Sequence, residues 1–344
     1  MQKRFSCPSC LSFLTIKKGK RRGKERRLCL SCGKWFSINR KRSTDFKPKD
    51  LANLHLNGVS FRKIADECRM SAPTVFRKVN EYLSHLPTNA DITRAYCSRF
   101  SGILVLDGKY IPIRNYRYRI PLIWGIDYLT HDIPHFKLAP SENYQSSIVY
   151  FQTLRLLNYP LQCLVVDDNV NFKMAALRIY PKVVIQTCTN HFKENVRRNL
   201  KVRSDEKYRP FMDKIEFIFS KKRSIQEYEK LAGTLYQSWK YDELACGVLA
   251  EMSKREGEFL AYLKVPRSPQ TTNLIESYNS HLNSRLTSLK SFETFESARI
   301  WLNGYILKRR LTKLKGCAGQ FKKLNGYPSL FQTLQDNLSL PNFF

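Results

Sequence analysis

The chain has 344 residues, enough for two or three domains, and 42% of them are apolar, enough to bury a sizeable core. Lys and Arg number 59 against 29 Asp and Glu. The resulting net charge of +30 cannot be neutralised within one fold, and it points to a polyanionic partner, nucleic acid before anionic membrane. No stretch approaches 18 uncharged apolar residues, which excludes an ordinary membrane-spanning helix. The opening MQKRFSCPSC has no apolar leader, so an intracellular protein is expected.

The charge is concentrated early. Residues 1–50 carry 16 basic and 3 acidic side chains, the mark of a binding arm ahead of a more balanced body. Four of the ten cysteines fall there, as Cys7, Cys10, Cys29 and Cys32, two C-x2-C pairs separated by 18 residues. This is the spacing of a four-thiolate zinc ribbon: each knuckle turn aims two thiolates at one ion, and two knuckles close a tetrahedron. Pro8 and Gly33 suit the turns. One structural Zn2+ is therefore expected within residues 1–45. Between the knuckles, LSFLTIKKGKRRGKERRL carries eight basic residues and one acid. Lys20, Arg21 and Arg22 at its centre are candidates for DNA phosphate contact, with a solvated loop as the alternative.

Residues 46–88 read as a helix-turn-helix DNA-binding domain. Leu51, Leu54 and Leu56 precede a stop at Gly58, and Ser60 caps a helix with apolar Phe61, Ile64, Ala65 and Cys68. After a turn at Arg69-Met70, Ser71 caps a further helix with Pro73 in its first turn and Val75, Phe76, Val79 and Leu83 as its buried face. The last helix of such a unit would enter the major groove and present Ser71, Thr74, Arg77 and Lys78. The run LPTNAD that follows reads as a linker.

From about Arg94 the order becomes α/β. Three meandering strands (SGILVLDGKYIPIRN, YRIPLIWGIDYLT, DIPHFKLAP) are followed by a helix, the strand LQCLVVDDN, a short helix and the strand VVIQTC. Asp107, Asp167 and Asp168 stand within or at the ends of apolar strands, where a carboxylate is costly unless it is paired or holds a cation. Residues 193–264 show helical spacing without strand alternation, an all-helical insertion. TTNLIES then opens a helix with Glu276 near its start. The next helix ends in Lys308, Arg309, Arg310, Lys313 and Lys315, which either track DNA or form a solvated helix end. The expected division is 94–192 and 265–315 as two parts of one core, with 316–344 as a C-terminal tail.

Asp107 in LVLDGKYI, the Ala139–Asn143 turn APSEN, the strand end VVDDN, the C-x2-H of Cys188 and His191, and TTNLIES together resemble the DDE transposases of bacterial insertion sequences in the Mutator-like superfamily, over residues 100–312. The resemblance implies a ribonuclease-H-like mixed α/β sheet with an all-α insertion, preceded by the zinc ribbon and helix-turn-helix. By position it makes Asp107, Asp168 and Glu276 the catalytic acids and the ligands of two Mg2+ (or Mn2+) ions. Asp168 is preferred to Asp167 because Ala175 and Ala176 stand seven and eight residues after it, as paired alanines do in the family. Cys188, His191 and Asn273 are family-motif residues without an assigned role. Two divalent ions can activate an attacking oxygen and neutralise charge on a phosphodiester, and Mg2+ prefers carboxylate oxygens. The implied activity is cleavage at element ends in double-stranded DNA and strand transfer to target DNA, by a homo-oligomer on paired ends. The alternatives are a catalytically silent, sequence-specific DNA-binding protein and a nuclease that nicks without strand transfer.

Overall fold

A computed structural model of the chain describes residues 5–21, 23–38 and 46–344. These fall into two compact units, divided between Lys47 and Pro48.

The first unit is a three-stranded antiparallel sheet of β1 (Thr15–Arg21), β2 (Lys24–Cys29) and β3 (Trp35–Ser37), in that order. The β1–β2 register shifts between Lys17 and Lys20, where Gly19 takes the left-handed φ of +81° that a bulge favours. Among its described residues only Cys7 and Cys29 are buried. Leu11, Phe13, Leu14 and Leu30 are each more than half exposed. Three short strands without an apolar core are not stable alone, so this unit needs a cross-link or a metal.

The second unit opens with α1 (Pro48–Leu56), α2 (Phe61–Glu67) and α3 (Ala72–Ser84). Ser60 Oγ accepts from the Lys63 N–H at 3.3 Å and Ser71 Oγ from the Thr74 N–H at 3.4 Å, so both caps form as the sequence reads. Arg69, at φ +51°, makes the turn between α2 and α3. Val75, Val79 and Leu83 line the buried face, but Phe76 is 48% exposed and sits edge-on to Phe61. One residue beyond Val75 lies about 100° round the helix, off that face. The stretch read as a linker instead starts α4 (Asn89–Tyr96), because Thr88 and Asp91 form a capping box.

A five-stranded sheet follows: β4 (Ile103–Ile111), β5 (Ile120–Asp127), β6 (Phe136–Leu138), then α5 (Tyr144–Leu156), β7 (Cys163–Val166), α6 (Val170–Ile179) and β8 (Val184–Thr187). The order is β6-β5-β4-β7-β8, with β7 and β8 parallel to β4 and the first three strands an antiparallel meander. Next come α7 (Thr189–Asn199), α8 (Arg209–Ile218), α9 (Ile225–Trp239), α10 (Glu243–Lys254) and α11 (Glu256–Phe259), around a core that includes Phe192, Phe211, Ile215 and Phe259. The chain returns to the sheet in α12 (Asn273–Leu289) and α13 (Phe295–Leu311) and ends with the short α14 (Ser329–Thr333).

Strand alternation assigns the two faces. Leu104, Leu106, Leu164 and Val166 pack with Tyr150 and Phe151 of α5 and Phe172 of α6. Ile103, Val105, Cys163 and Val165 point the other way, into a core shared with α12, α13 and α1–α3. Gly304 permits this sharing, since a Cβ there would lie 2.7 Å from Leu83 Cδ2.

Two expectations are corrected. Arg310 does not belong to an exposed basic helix end. It is fully buried and donates to Asp132 at 2.8 and 2.7 Å, to Asn89 Oδ1 at 2.8 Å and to Thr93 at 2.9 Å. Lys308 likewise turns inward, onto the Asn53 carbonyl and Asn57. Nor do residues 316–344 form a loose tail, because buried Ser329 and Thr333 donate to the same Asp132 carboxylate at 3.2 and 2.6 Å. A buried charge must collect donors from wherever the chain can supply them. Among the described residues no helix is long and apolar enough to cross a membrane.

Candidate active site and candidate zinc centre

Cys7, Cys10, Cys29 and Cys32 bring their four sulfur atoms within 4.8 Å of one another. Cys7 and Cys32 are 3.6 Å apart and Cys10 and Cys29 3.5 Å, near the ~3.8 Å edge of a tetrahedron with 2.3 Å zinc–sulfur bonds. The second knuckle is closed by the Gly33 N–H on the Cys29 carbonyl at 2.9 Å, with Gly33 at φ +70°. Burial opposes ionisation of Cys29, yet the N–H groups of Cys32 and Ser31 bring its thiol down to about 6. Cys32 goes the other way, to about 12: the Lys34 N–H favours its thiolate, but the crowd of neighbouring thiols and burial outweigh it. Four facing sulfurs resist joint ionisation unless a cation sits among them, so the donor set fits Zn2+.

Asp107 lies in β4 opposite Trp124. Its Oδ1 accepts from the Gly108 N–H at 2.8 Å and its Oδ2 from Asn279 Nδ2 at 2.7 Å. Asn279 Oδ1 in turn accepts from the Trp124 indole N–H at 3.0 Å, so the indole sets the amide and the amide sets the carboxylate. Burial, then the charge of Asp167, raises the Asp107 carboxyl to about 6; Glu276 adds to this, while the Gly108 N–H and His191 oppose it. Glu142, from the loop before α5, is raised to about 7 by burial and then by Asp167 and Asp107. Its Oε1 accepts from Asn169 Nδ2 at 2.5 Å, and its buried Oε2 has no hydrogen-bond partner. Gly108 makes room for this carboxylate, with which a Cβ would collide.

The aspartate doublet is where geometry departs from expectation. Parallel pairing sets Leu104 beside Leu164 and Val105 beside Val165. Two residues further along the same register, Asp167 falls on the Asp107 face and Asp168 on the other. Asp168 is bound by Arg255 at 2.7 and 3.0 Å and by Lys173 at 2.9 Å. Lys173 also donates to Glu258 at 2.7 Å, and Thr187 to Glu258 at 2.5 Å, so Asp168 belongs to an ion network between the sheet and the helical insertion. Asp107 thus feels the charges of Asp167 and Glu276, whereas Asp168 is engaged by Arg255 and Lys173. Among the described residues no Lys or Arg forms an ion pair with Asp107, Asp167, Glu276 or Glu142.

Glu276 lies in the first turn of α12, and its Oε1 accepts from the Thr272 hydroxyl at 2.7 Å. Cys188 follows β8 as the cap residue of α7, and His191 lies in the first turn of α7. Their ligand atoms and that of Glu276 lie within 4.8 Å of one another. Contact with Cys188 raises His191 to about 9 against the effect of burial, with help from Glu276 and Asp167. Burial pushes the Cys188 thiol up, but hydrogen bonds from His191 and Thr272 leave it below its usual value. Asn273 Oδ1 accepts from Asn190 at 2.9 Å, joining the same two helix starts.

The residues expected to meet DNA belong to β1 of the first unit and to α3 and its cap in the second. Lys20 and Arg21 are exposed on β1, and Arg22 lies outside the described residues. In α3, Arg77 is exposed, Lys78 half-buried, and the Ser71 and Thr74 hydroxyls bond each other at 2.8 Å. The sequence reading missed Glu142, Thr272 and Asn279. Only Asn279 left a signal, three residues after Glu276 and so on the same helical face.

No curated protein matches this sequence. Among solved structures, the chain is similar to that of the Drosophila P element transposase strand transfer complex, with a TM-score of 0.47 and 10% identity, over 78% of this chain and 93% of that one. The family model described as "Transposase, Mutator family" matches residues 34–306, most of the sequence. The chain belongs to the Mutator family of transposases.

Proposed function

We propose that this transposase cleaves element-end DNA and joins it to target DNA using Asp107, Asp167 and Glu276 as the acids that hold two Mg2+ or Mn2+ ions. The observation that carries this reading is Asp107 of β4 feeling the charges of Asp167, just past β7, and of Glu276, at the start of α12, with no Lys or Arg ion-paired to any of the three among the described residues, in a chain with twice as many basic as acidic residues. Such a set fits divalent cations, which would supply the Lewis acidity for in-line attack on a phosphodiester. The protein's own part is orientation. Asn279 fixes Asp107, the Asn169 N–H at 3.1 Å holds Asp167 Oδ1, and the Thr272 hydroxyl holds Glu276.

The sheet order, with an antiparallel meander on one side and two parallel strands on the other, supports a ribonuclease-H-like core that carries the helical insertion between β8 and α12. Residues 1–45 are read as a zinc ribbon and 46–88 as a helix-turn-helix that share the work of binding element ends. Lys20 and Arg21 would meet phosphates, while Arg77 and Lys78 would face the major groove. Assembly as a homo-oligomer on paired ends belongs to the same proposal.

The test is incubation of the full chain with Mg2+ and duplexes bearing the ends of its own element. Nicked ends and joined products are expected, lost in Asp107→Asn and Glu276→Gln while DNA binding is kept. DNA bound but unchanged under every divalent metal would favour a silent DNA-binding protein, and nicking without joining would favour a nuclease.

A further inference from the structure

We propose that the Cys188–His191 turn is a clasp that closes the base of the helical insertion and, through Thr272, holds Glu276 in position to bind a cation; the inference rests on the reading of Glu276 given above. The insertion leaves the sheet after β8 and returns at α12, so residues 188–191 and 270–276 are its two feet. They are stitched together at several atoms. The Thr189 N–H and hydroxyl both meet the Gln270 carbonyl, at 2.9 and 3.2 Å. Asn190 Nδ2 donates to Asn273 Oδ1 at 2.9 Å, and the Thr272 N–H donates to Cys188 Sγ at 3.4 Å.

Thr272 is the centre of the clasp. Its hydroxyl oxygen lies 2.7 Å from Glu276 Oε1, 3.3 Å from His191 Nδ1 and 3.2 Å from Cys188 Sγ. A hydroxyl has one hydrogen to give, and the carboxylate is both the nearest and the strongest acceptor. With the hydrogen spent on Glu276, the oxygen is free to accept, and an imidazole with its proton on Nδ1 supplies the donor. The direction is then fixed as His191 Nδ1–H to Thr272 Oγ1, and Thr272 Oγ1–H to Glu276 Oε1. Cys188 accepts the Thr272 N–H, and its sulfur lies within 4.8 Å of a His191 ring nitrogen.

This arrangement gives the C-x2-H pair and Thr272 one task. Thr272 stands at the cap position of α12 without donating or accepting a side-chain cap bond, so its hydroxyl serves the carboxylate one turn ahead rather than the helix end. Carboxylates that bind metals are themselves held by outer hydrogen bonds, and loss of such a bond weakens metal binding by about 10–100-fold. His191, Cys188 and Thr272 are therefore positioning residues. They also couple the seating of a roughly 75-residue helical insertion to the aim of the third acid.

The experiment is a titration of the full chain with Mn2+, with free Mn2+ followed by electron paramagnetic resonance, alongside thermal unfolding to confirm folding. Thr272→Val and His191→Ala are expected to weaken Mn2+ binding by about tenfold or more. Thr272→Ser, which restores the hydroxyl, and His191→Asn, whose amide N–H stands near the place of Nδ1–H, should recover most of it. Binding as in the wild type in Thr272→Val and His191→Ala, with Glu276→Gln weakened, would overturn the clasp and leave the reading of Glu276 intact. A Thr272→Ser variant as weak as Thr272→Val would also overturn it, since shape rather than the hydroxyl would then matter. If Glu276→Gln itself bound Mn2+ as tightly as the wild type, the reading of Glu276 as a ligand would fall, and the clasp with it.

Discussion

Arg255 places two guanidinium nitrogens on the carboxylate of Asp168, at 2.7 and 3.0 Å, one residue beyond the aspartate whose charge acts on Asp107. On the proposed reading the doublet is divided between two tasks: Asp167 serves the metal site, and Asp168 ties the sheet to the helical insertion. Asp167→Asn is expected to reduce DNA cleavage by at least about a hundredfold, the order of losing several kcal/mol of charge stabilisation. Asp168→Asn should stay within about tenfold of the wild type and lower stability by about 1 kcal/mol, since its carboxylate is partly exposed and screened. Cleavage assays on the two variants, with unfolding midpoints measured in parallel, check this. The reverse pattern would return the second catalytic position to Asp168.

The acid cluster gives stability a pH dependence of definite sign. Asp107 and Glu142 rise from the ordinary 3.8 and 4.5 to about 6 and about 7. A group raised on folding contributes stability that is full below its unfolded pKa and is lost as pH climbs through the folded value. Metal-free protein should therefore lose this contribution between about pH 4 and 7. Glu142→Gln removes the upper part of that loss, so its unfolding midpoint should rise relative to the wild type from pH 4.5 to 7, and Mg2+ should narrow the gap. A difference between the two proteins that is constant with pH would contradict the placement of Glu142 beside the two aspartates.

Among its described residues the first unit has no apolar core to fall back on. Cys29→Ser, or a strong chelator, is expected to release one zinc per chain and abolish the structure of residues 5–38, leaving the rest folded. Metal analysis together with amide hydrogen exchange measures both. Retained exchange protection in β1 and β2 without metal would show that something else holds the sheet. Weakened binding to element ends should accompany the loss, because the exposed Lys20 and Arg21 lose their fixed spacing.

Arg310 is a structural residue, although it sits in a basic run. Removal of one partner from a buried pair leaves the other charge stranded, at a cost of about 3–5 kcal/mol. Arg310→Ala should therefore destabilise the second unit by about that amount. Lys313→Ala, further along the same run, should change stability by under about 0.5 kcal/mol. Denaturant unfolding of the two variants checks the contrast, and equal effects would contradict the burial of Arg310 against Asp132.

Local signals proved the most legible. Ser60 and Ser71 cap their helices as read, because a cap is a bond between residues three apart. The cysteine pairs converge because knuckle geometry is set by two-residue spacers. Long-range choices were not legible in the same way. Phe76 reads as core until its place on the α3 helix is fixed, and Arg310 reads as a DNA contact or a solvated helix end until Asp132, 178 positions away, is seen to face it. The choice between Asp167 and Asp168 rests on alanine spacing in the following helix, whereas the partners of Asp168, Arg255 and Lys173, are known only once the fold brings the helical insertion and α6 beside it. Thr272 and Glu142 were passed over because a hydroxyl or a loop carboxylate has no pattern of its own until its neighbour across the fold is known.

The central claim is that Asp107, Asp167 and Glu276 share a pair of divalent cations. Its most direct measurement is Mn2+ binding by the full chain and by Asp107→Asn, Asp167→Asn, Asp168→Asn and Glu276→Gln. The expected result is two ions bound by the wild type and by Asp168→Asn, with binding weakened in the other three. Wild-type binding retained in any of those three, or lost in Asp168→Asn alone, would contradict the claim.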